Sequence, residues 1–202
     1  MQPLRSARPG SAGPVSATMS APAHRLTAED LLSAATGLLA AEQDPLANMA
    51  NLSALILEAL PDLNWAGFYL YRPHATAQAT LFTLASAAPS GQPSASSPSG
   101  GELVLGPFQG RVACTRIAMG KGVCGTAAQT RTTQRVADVH AFPGHIACDA
   151  ASASEIVIPL VAHGHLLGVL DLDSPRKDRF SPADQHLLET LVATFLRTLP
   201  VA

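Results

Sequence analysis

Two runs of strand-forming residues near the C-terminus are separated by only four residues. Residues 155–161 read E-I-V-I-P-L-V, residues 166–172 read L-L-G-V-L-D-L, and A-H-G-H lies between them. So short a connection joins antiparallel neighbours, because parallel strands need a crossover of about a dozen residues or more. The pair therefore predicts a β-hairpin within an antiparallel sheet.

Helical patterns lie on both sides of the strand-forming region. Thr27 can cap a helix whose first turn is acidic and whose leucines recur on one face. A second helix begins at Asp44-Pro45, with proline at the first helical position, and ends at Pro61. Ser181 precedes a last helix with an apolar face.

The run N-W-A-G-F-Y-L-Y at residues 64–71 predicts a strand with two unlike faces. Alternation places polar aromatic side chains on one face and aliphatic side chains with one phenylalanine on the other. The first face is Trp65, Gly67, Tyr69 and Tyr71, and the second is Ala66, Phe68 and Leu70. The rings of the first face could simply pack against a helix, as Trp and Tyr commonly do.

Shorter elements are expected in the middle of the chain. The predicted strands are residues 102–105, 112–118 and 133–137, and the predicted short helix is residues 124–129. Gly106-Pro107 and Gln109-Gly110 are turn signals that end the first of these strands. Cys114 then lies within the second strand, and residues 138–153 form a long loop or short helix.

The order of elements predicts an α+β fold, with a central antiparallel sheet flanked by N- and C-terminal helices. We expect a disordered tail at residues 1–24, one domain at residues 25–200, and an inserted low-complexity loop at residues 73–100, with a short strand at 79–85. The tail has arginines and no acid, as transit peptides do, but its Pro and Gly residues disfavour an amphipathic helix.

Composition excludes several classes of partner. The formal net charge is −2, so no nucleic-acid partner is indicated. No apolar run is long enough for a membrane-spanning helix. Three cysteines without a secretory signal fit a reducing compartment, so we expect an intracellular, cytoplasmic protein.

All three cysteines, Cys114, Cys124 and Cys148, lie within residues 101–149. Thiol chemistry is the first hypothesis, with Cys148 in a polar Gly-Pro-His loop, although a single cysteine is more often a small buried apolar residue. A zinc site is the alternative, but the spacing lacks the C-x-x-C pairs that make such sites recognisable. Its ligands would be Cys124, His140, His145 and Cys148.

Carboxylates supply a second group of candidates. Glu155 opens one strand of the hairpin, and Asp171 and Asp173 share a face at the end of the other. Such acids are often solvated residues beside a turn. In a partly buried pocket, however, mutual repulsion would raise their pKa values, so that one could donate a proton near neutrality or the group could bind an ammonium.

Six segments carry a resemblance to one enzyme family. They are N-W-A-G-F-Y at 64–69, L-V-L-G-P-F-Q-G at 103–110, G-K-G-V-C-G-T-A-A at 120–128, V-A-D-V-H-x-F-P-G-H-I-A-C-D at 136–149, S-E-I-V-I-P at 154–159 and G-V-L-D-L-D-S at 168–174. Together they resemble the GAF-domain free methionine-(R)-sulfoxide reductases over residues 27–198, in order and with the cysteines at the family's spacing. The insertion and the tail are departures that remove no motif residue.

The resemblance implies a GAF-type catalytic domain that reduces free methionine-(R)-sulfoxide to methionine, with thioredoxin as reductant and no organic cofactor or metal. It implies a cysteine sulfenic acid that is resolved as a disulfide. Cys148 matches the nucleophile, Cys114 the main resolving cysteine, and Cys124 a second possible partner. The length of the insertion leaves open whether the protein forms a homodimer.

The resemblance also implies the substrate-binding residues. Glu155, Asp171 and Asp173 match the acids that hold the sulfoxide oxygen or the substrate ammonium, and one of them supplies the proton. Trp65 and Tyr69 match the pocket wall around the methylthio end, and backbone groups near Val123 and Cys124 are expected to bind the substrate carboxylate.

Two other functions compete with this one. A GAF module that binds a small ligand without turnover needs no cysteine set. A thiol switch oxidised by peroxide needs no acids that recognise an ammonium group, so Glu155, Asp171 and Asp173 argue against it. A peptide methionine sulfoxide reductase is disfavoured because that chemistry resides on different folds.

Overall fold

A computed structural model of the chain describes residues 26–73, 100–144 and 150–199. Its helices are α1 (Ala28–Ala41), α2 (Pro45–Ala59), α3 (Gly122–Thr130) and α4 (Pro182–Thr198). Its strands are β1 (Trp65–Pro73), β2 (Gly101–Gly110), β3 (Arg116–Ala118), β4 (Gln134–Val136), β5 (Ser154–Ala162) and β6 (His165–Ser174). A 3-10 turn, Val139–Ala141, follows β4. The predictions for residues 1–24, 79–85 and almost all of 73–100 lie outside the described residues, as do those for His145 and Cys148.

The strands form one antiparallel sheet in the order β3-β2-β1-β6-β5-β4, which confirms the predicted fold class. The predicted hairpin is present, with Ala162 of β5 paired to His165 of β6. Between them His163 and Gly164 have φ values of 49° and 78°. Two consecutive positive φ values produce the tight turn whose twist matches that of the strands, and they fix the register of β5 against β6.

Helices and loops cover the two faces of the sheet. Ala66, Phe68 and Leu70 of β1 belong to the larger core, which α1, α2 and α4 complete. Trp65 and Tyr69 belong to a second core on the opposite face, beneath α3. The alternation predicted for residues 64–71 is therefore confirmed, and it separates a purely apolar face from one that also carries polar atoms.

Side-chain caps begin the three longer helices. Thr27 and Ser181 each accept a hydrogen bond from the backbone N–H three residues on and complete a capping box, in α1 and α4 respectively. Asp44 accepts hydrogen bonds from two backbone N–H groups of the first turn of α2. These caps satisfy N–H groups that have no partner within the helix, each contributing about 1 kcal/mol.

Two sequence predictions are wrong in the region of β2 and β3. The Gly106-Pro107 and Gln109-Gly110 signals do not end the strand, because β2 continues through Gly110. The ladder shifts register there: Gly67 pairs with Phe108, whereas Tyr69 pairs with Leu105, so that two residues of β2 oppose Phe68. Such a bulge leaves a residue out of the hydrogen-bond ladder, which is where a proline is tolerated within a sheet.

The predicted strand at 112–118 is confined to Arg116–Ala118, and Cys114 precedes it rather than lying within it. Gly110 has a φ of 130°, which redirects the chain after β2, and Val112 is 88% exposed. The alternation of side chains in this stretch therefore does not reflect a sheet ladder. No helix in the described residues is long and apolar enough to cross a membrane.

Candidate active site

The central strands bring the three predicted acids onto one face of the sheet. Glu155 of β5 pairs with Asp173 of β6, and Asp173 pairs on its other side with Trp65 of β1. Asp171 lies two residues before Asp173 and pairs with Gly67. Because directly paired residues and residues two apart share a face, all three acids lie on the side that carries Trp65 and Tyr69.

Helix α3 adds a cysteine to this face. Cys124, in the first turn of α3, donates a sulfur hydrogen bond to Glu155 Oε1 at 3.7 Å. One sulfur or oxygen atom from each of Cys124, Glu155 and Asp171 lies within 4.8 Å of the other two. The three residues are only 4%, 7% and 5% exposed. The structure therefore encloses a thiol and two carboxyl groups in one small cluster.

Burial changes the protonation of this cluster. Desolvation raises the pKa of Asp171 from 3.8 to about 7. Desolvation, followed by the charges of Asp171 and Asp173, raises the pKa of Glu155 well above its ordinary value. Burial, followed by the charges of Asp171 and Glu155, raises the pKa of the Cys124 thiol. Near neutral pH the cluster therefore retains protons that exposed acids would have lost.

One acceptor in the cluster has no partner within the described residues. Asp171 Oδ1 is buried and accepts no hydrogen bond there. A buried acceptor without a donor is costly, and such atoms are uncommon in folded proteins. A ligand that supplied an N–H or O–H donor would remove this cost.

Three stacked rings lie on the same face. Trp65 stacks on Phe108 at 5.4 Å and on Tyr69 at 5.8 Å between ring centroids. A Cβ on Gly67 would lie against Phe108 Cβ and 2.6 Å from Trp65 Cη2, so only glycine leaves room for this stack. Phe108 is not predicted from the sequence, because Gly106-Pro107 and Gln109-Gly110 on either side of it indicate turns.

The polar atoms of two rings contact the segment that carries Cys114. Trp65 Nε1 donates a hydrogen bond to the carbonyl of Arg111 at 3.2 Å, and Tyr69 Oη donates one to the carbonyl of Cys114 at 3.0 Å. Burial, followed by the negative charges of the acid cluster, raises the pKa of Tyr69, so its hydroxyl stays protonated and remains a donor. Sequence alternation indicates the face of these rings but gives no sign of these contacts.

The described cysteines differ in state. Cys114 is half-buried and disulfide-bonded, whereas Cys124 is a buried free thiol. Helix α3 begins at Gly122, two residues before the predicted start at Cys124, and Val123 and Cys124 lie buried in its first turn. The zinc alternative lacks support among the described residues, because His140 is exposed on the 3-10 turn and Cys124 is instead grouped with Glu155 and Asp171.

Any metal bound to that group would be held by one thiolate and two carboxylates. Such a donor set suits zinc, but binding would require all three groups to lose protons that burial stabilises. The chemistry of the cluster is better suited to donating a proton and accepting hydrogen bonds from a ligand.

Comparisons with known proteins identify the family of this fold. Residues 47–197 match the family model of the GAF domain. The free methionine-R-sulfoxide reductase of Escherichia coli is 46% identical over 162 residues, covering 80% of this chain and 82% of the relative. Two solved structures of relatives are also similar to this chain.

The structure of fRMsr of Staphylococcus aureus in its reduced form is 40% identical, with a TM-score of 0.71 over 90% of this chain and 100% of that one. The free methionine-R-sulfoxide reductase from Neisseria meningitidis, in complex with its substrate, is 35% identical, with a TM-score of 0.69 over 87% of this chain and 93% of that one. By fold, motifs and identity, the chain belongs to the family of GAF-domain free methionine-R-sulfoxide reductases.

Proposed function

We propose that this protein reduces free L-methionine-(R)-S-oxide to L-methionine. The observation that carries the proposal is the enclosed cluster of Cys124, Glu155 and Asp171 beside stacked rings, in a chain 46% identical to a reductase of that name. The free amino acid offers an ammonium group, a polar sulfur–oxygen bond and an apolar methyl group. The polar cluster and the rings complement these features, and enclosure would disfavour a methionine within a peptide.

The cluster supplies the proton that the reaction needs. When a thiolate attacks the sulfoxide sulfur, the sulfoxide oxygen must take up a proton as the sulfur–oxygen bond breaks. A carboxyl group with a pKa near the working pH is the most effective donor. Asp171, with its pKa raised to about 7, and Glu155, with its pKa raised well above that of an ordinary Glu, meet this condition. Asp173, on the same face, would hold the substrate ammonium.

Cys148 would be the attacking thiolate. The sulfoxide oxygen is transferred to its sulfur, so that methionine leaves and a sulfenic acid forms on Cys148. The thiol of Cys114 then attacks that sulfur and forms a disulfide with Cys148. The hydroxide that it displaces takes up a proton and leaves as water. A reduced thioredoxin takes over the disulfide by exchange and regenerates both thiols.

The states of the described cysteines support this division of roles. Cys114 is disulfide-bonded, as a resolving cysteine would be after turnover. Cys124 is a buried thiol that donates to Glu155, and its raised pKa disfavours the thiolate needed for attack on sulfur. We therefore favour a role for Cys124 within the acid cluster over a role as a second resolving cysteine.

The apolar side of the pocket would come from the rings. Trp65 and Tyr69 present buried ring surface on the face that carries the acids, and the methylthio group would pack there. The buried start of α3 at Val123 and Cys124 offers backbone N–H groups for the substrate carboxylate.

Methionine production from the separated R and S forms of the free sulfoxide tests the proposal. The assay contains thioredoxin, its reductase and NADPH, and compares wild type with Cys148→Ser. We expect turnover of the R form only, and loss of that turnover in the variant. Absence of turnover with both forms, in protein shown to be folded and reduced, would reject the enzyme in favour of a GAF module that only binds ligand.

Two further variants test the acids under the same conditions. Asp171→Asn removes the carboxyl group at the centre of the cluster, and we expect a drop of at least tenfold in the single-turnover rate of methionine formation. Asp178→Asn is the matched control, because Asp178 is exposed and lies beyond the end of β6 at Ser174. Equal rates in the two variants would contradict a role for Asp171.

A further inference from the structure

The segment at residues 111–115 lies between the end of β2 and the start of β3 and carries Cys114. A Cβ on Gly110 would lie 2.7 Å from the carbonyl oxygen of Asn64 and 2.8 Å from Trp65 Cδ1, so the backbone just before the segment lies against the indole. At the other end of the segment, the N–H of Leu105 donates to the carbonyl of Thr115 at 3.0 Å. The segment therefore folds back over the stacked rings.

Both polar ring atoms of β1 donate to this segment. Trp65 Nε1–H bonds to the carbonyl of Arg111, and Tyr69 Oη–H bonds to the carbonyl of Cys114 itself. The two donors are rigid, because their rings are buried and stacked on each other. Donors fixed in this way restrict the position of the backbone at residues 111–115, which lie outside the strands.

Tyr69 also adjoins the acid cluster, since the charges of Asp171, Cys124, Asp173 and Glu155 all raise its pKa after burial does. The same side chain thus faces the proposed substrate-binding acids and bonds to the backbone of the proposed resolving cysteine. Its hydroxyl hydrogen is directed to the carbonyl of Cys114, so this atom is engaged in holding the segment.

We infer that Tyr69, assisted by Trp65, is a positioning residue for the resolving step, holding the Cys114 segment so that its thiol meets the sulfenic acid on Cys148. This inference rests on the proposed function and deepens it. The step is the condensation of Cys148–SOH with Cys114–SH to give one disulfide and one water molecule. Its rate depends on how often the two sulfur atoms approach, and removing an anchor lowers that frequency.

The test separates the two chemical steps in one experiment. Fully reduced protein is mixed with one equivalent of free methionine-(R)-sulfoxide without thioredoxin, and samples are quenched over time. Methionine reports the first step, and loss of two thiols with appearance of a disulfide reports the second. Tyr69→Phe removes the hydroxyl and keeps the ring, whereas Tyr71→Phe makes the same change on the same face of β1, two residues along, as control.

We expect Tyr69→Phe to slow disulfide formation about three- to tenfold, as loss of one hydrogen bond of ordinary strength would. Methionine formation should slow less than disulfide formation in this variant. Because the sulfenic acid then persists longer, a dimedone-type probe should trap more of it in Tyr69→Phe than in wild type. Trp65→Phe should act in the same direction, and Tyr71→Phe should match wild type in both steps. Thermal midpoints establish that each variant is folded.

Disulfide formation at the wild-type rate in Tyr69→Phe would overturn the inference, as would an equal slowing of both steps. If wild type forms no methionine, the proposed function fails, and the positioning role is still measurable. Hydrogen peroxide then oxidises the thiolate to the sulfenic acid with release of water, and disulfide closure is compared in the same variants. Cys114→Ser, which cannot close the disulfide with Cys148, sets the baseline.

Discussion

Replacing Asp171 with asparagine should stabilise the folded protein at alkaline pH, even though it removes a proposed active-site group. Asp171 is 5% exposed, and its Oδ1 has no hydrogen-bond partner in the described residues. Ionising this carboxyl group in the folded state is therefore unfavourable. Asparagine has nearly the same shape and never carries the charge.

The size of the effect follows from the pKa of Asp171. Burial raises that pKa from 3.8 to about 7. Each pKa step of one is worth about 1.4 kcal/mol, so the folded state loses up to about 4 kcal/mol once the group is ionised. Because the folded state binds this proton more tightly than the unfolded chain, the free energy of unfolding falls as pH rises from about 4 to about 7. Above that range the loss is constant.

Urea denaturation at pH 4.5 and pH 8.5 measures this loss. We expect the advantage of Asp171→Asn over wild type to be about 3 kcal/mol larger at pH 8.5 than at pH 4.5. Any effect of the amide on the free energy of unfolding that does not depend on pH is the same at both pH values, so it cancels when the two differences are compared. Asp178→Asn, on the surface, should show no such difference. If the gap between Asp171→Asn and wild type were the same at both pH values, the reasoning from burial would be refuted.

Three further outcomes are expected. Gly67→Ala should cost about 1–3 kcal/mol, because its Cβ would collide with Phe108 within the ring stack, and an unchanged urea midpoint would contradict that packing. Ser181→Ala, which removes the cap of α4, should cost about 1 kcal/mol and lower the thermal midpoint by about 2–4 °C. Single-turnover methionine formation should decline as pH rises above about 7, because Asp171 loses its proton there, and a steadily rising profile would exclude Asp171 as the donor.

The local parts of the site could be predicted from the sequence. Strand alternation placed Trp65 and Tyr69 on one face, and the structure confirms that placement. The A-H-G-H turn leaves little freedom in the register of β5 against β6, and the observed register brings Glu155 opposite Asp173. These features depend on residues that are close in sequence or on one tight turn, so the pattern of residues is enough to predict them.

The parts that depend on distant contacts could not be predicted. Cys114 sits in a segment held by side chains from β1, and nothing in residues 112–118 encodes those partners. The bulge opposite Phe68 arises from two strands together, so Gly106-Pro107 alone resembled a turn. Likewise, the sequence around Cys124 indicates a helix start but not that its thiol meets Glu155.

The position of the site between β1 and β6 also affects how the protein is made. The two hairpins, β1–β2 and β5–β6, join strands that are consecutive along the chain, whereas Trp65 of β1 pairs with Asp173 near the C-terminal end. Pairings between distant residues form late, because a long loop must close first. Because Cys114, Cys124 and Cys148 precede β6 in the chain, all three leave the ribosome before the strand that carries Asp171 and Asp173. Until that last strand is inserted beside the first, these thiols are present without the acid cluster, and premature oxidation at this stage would trap a chain that has never been active.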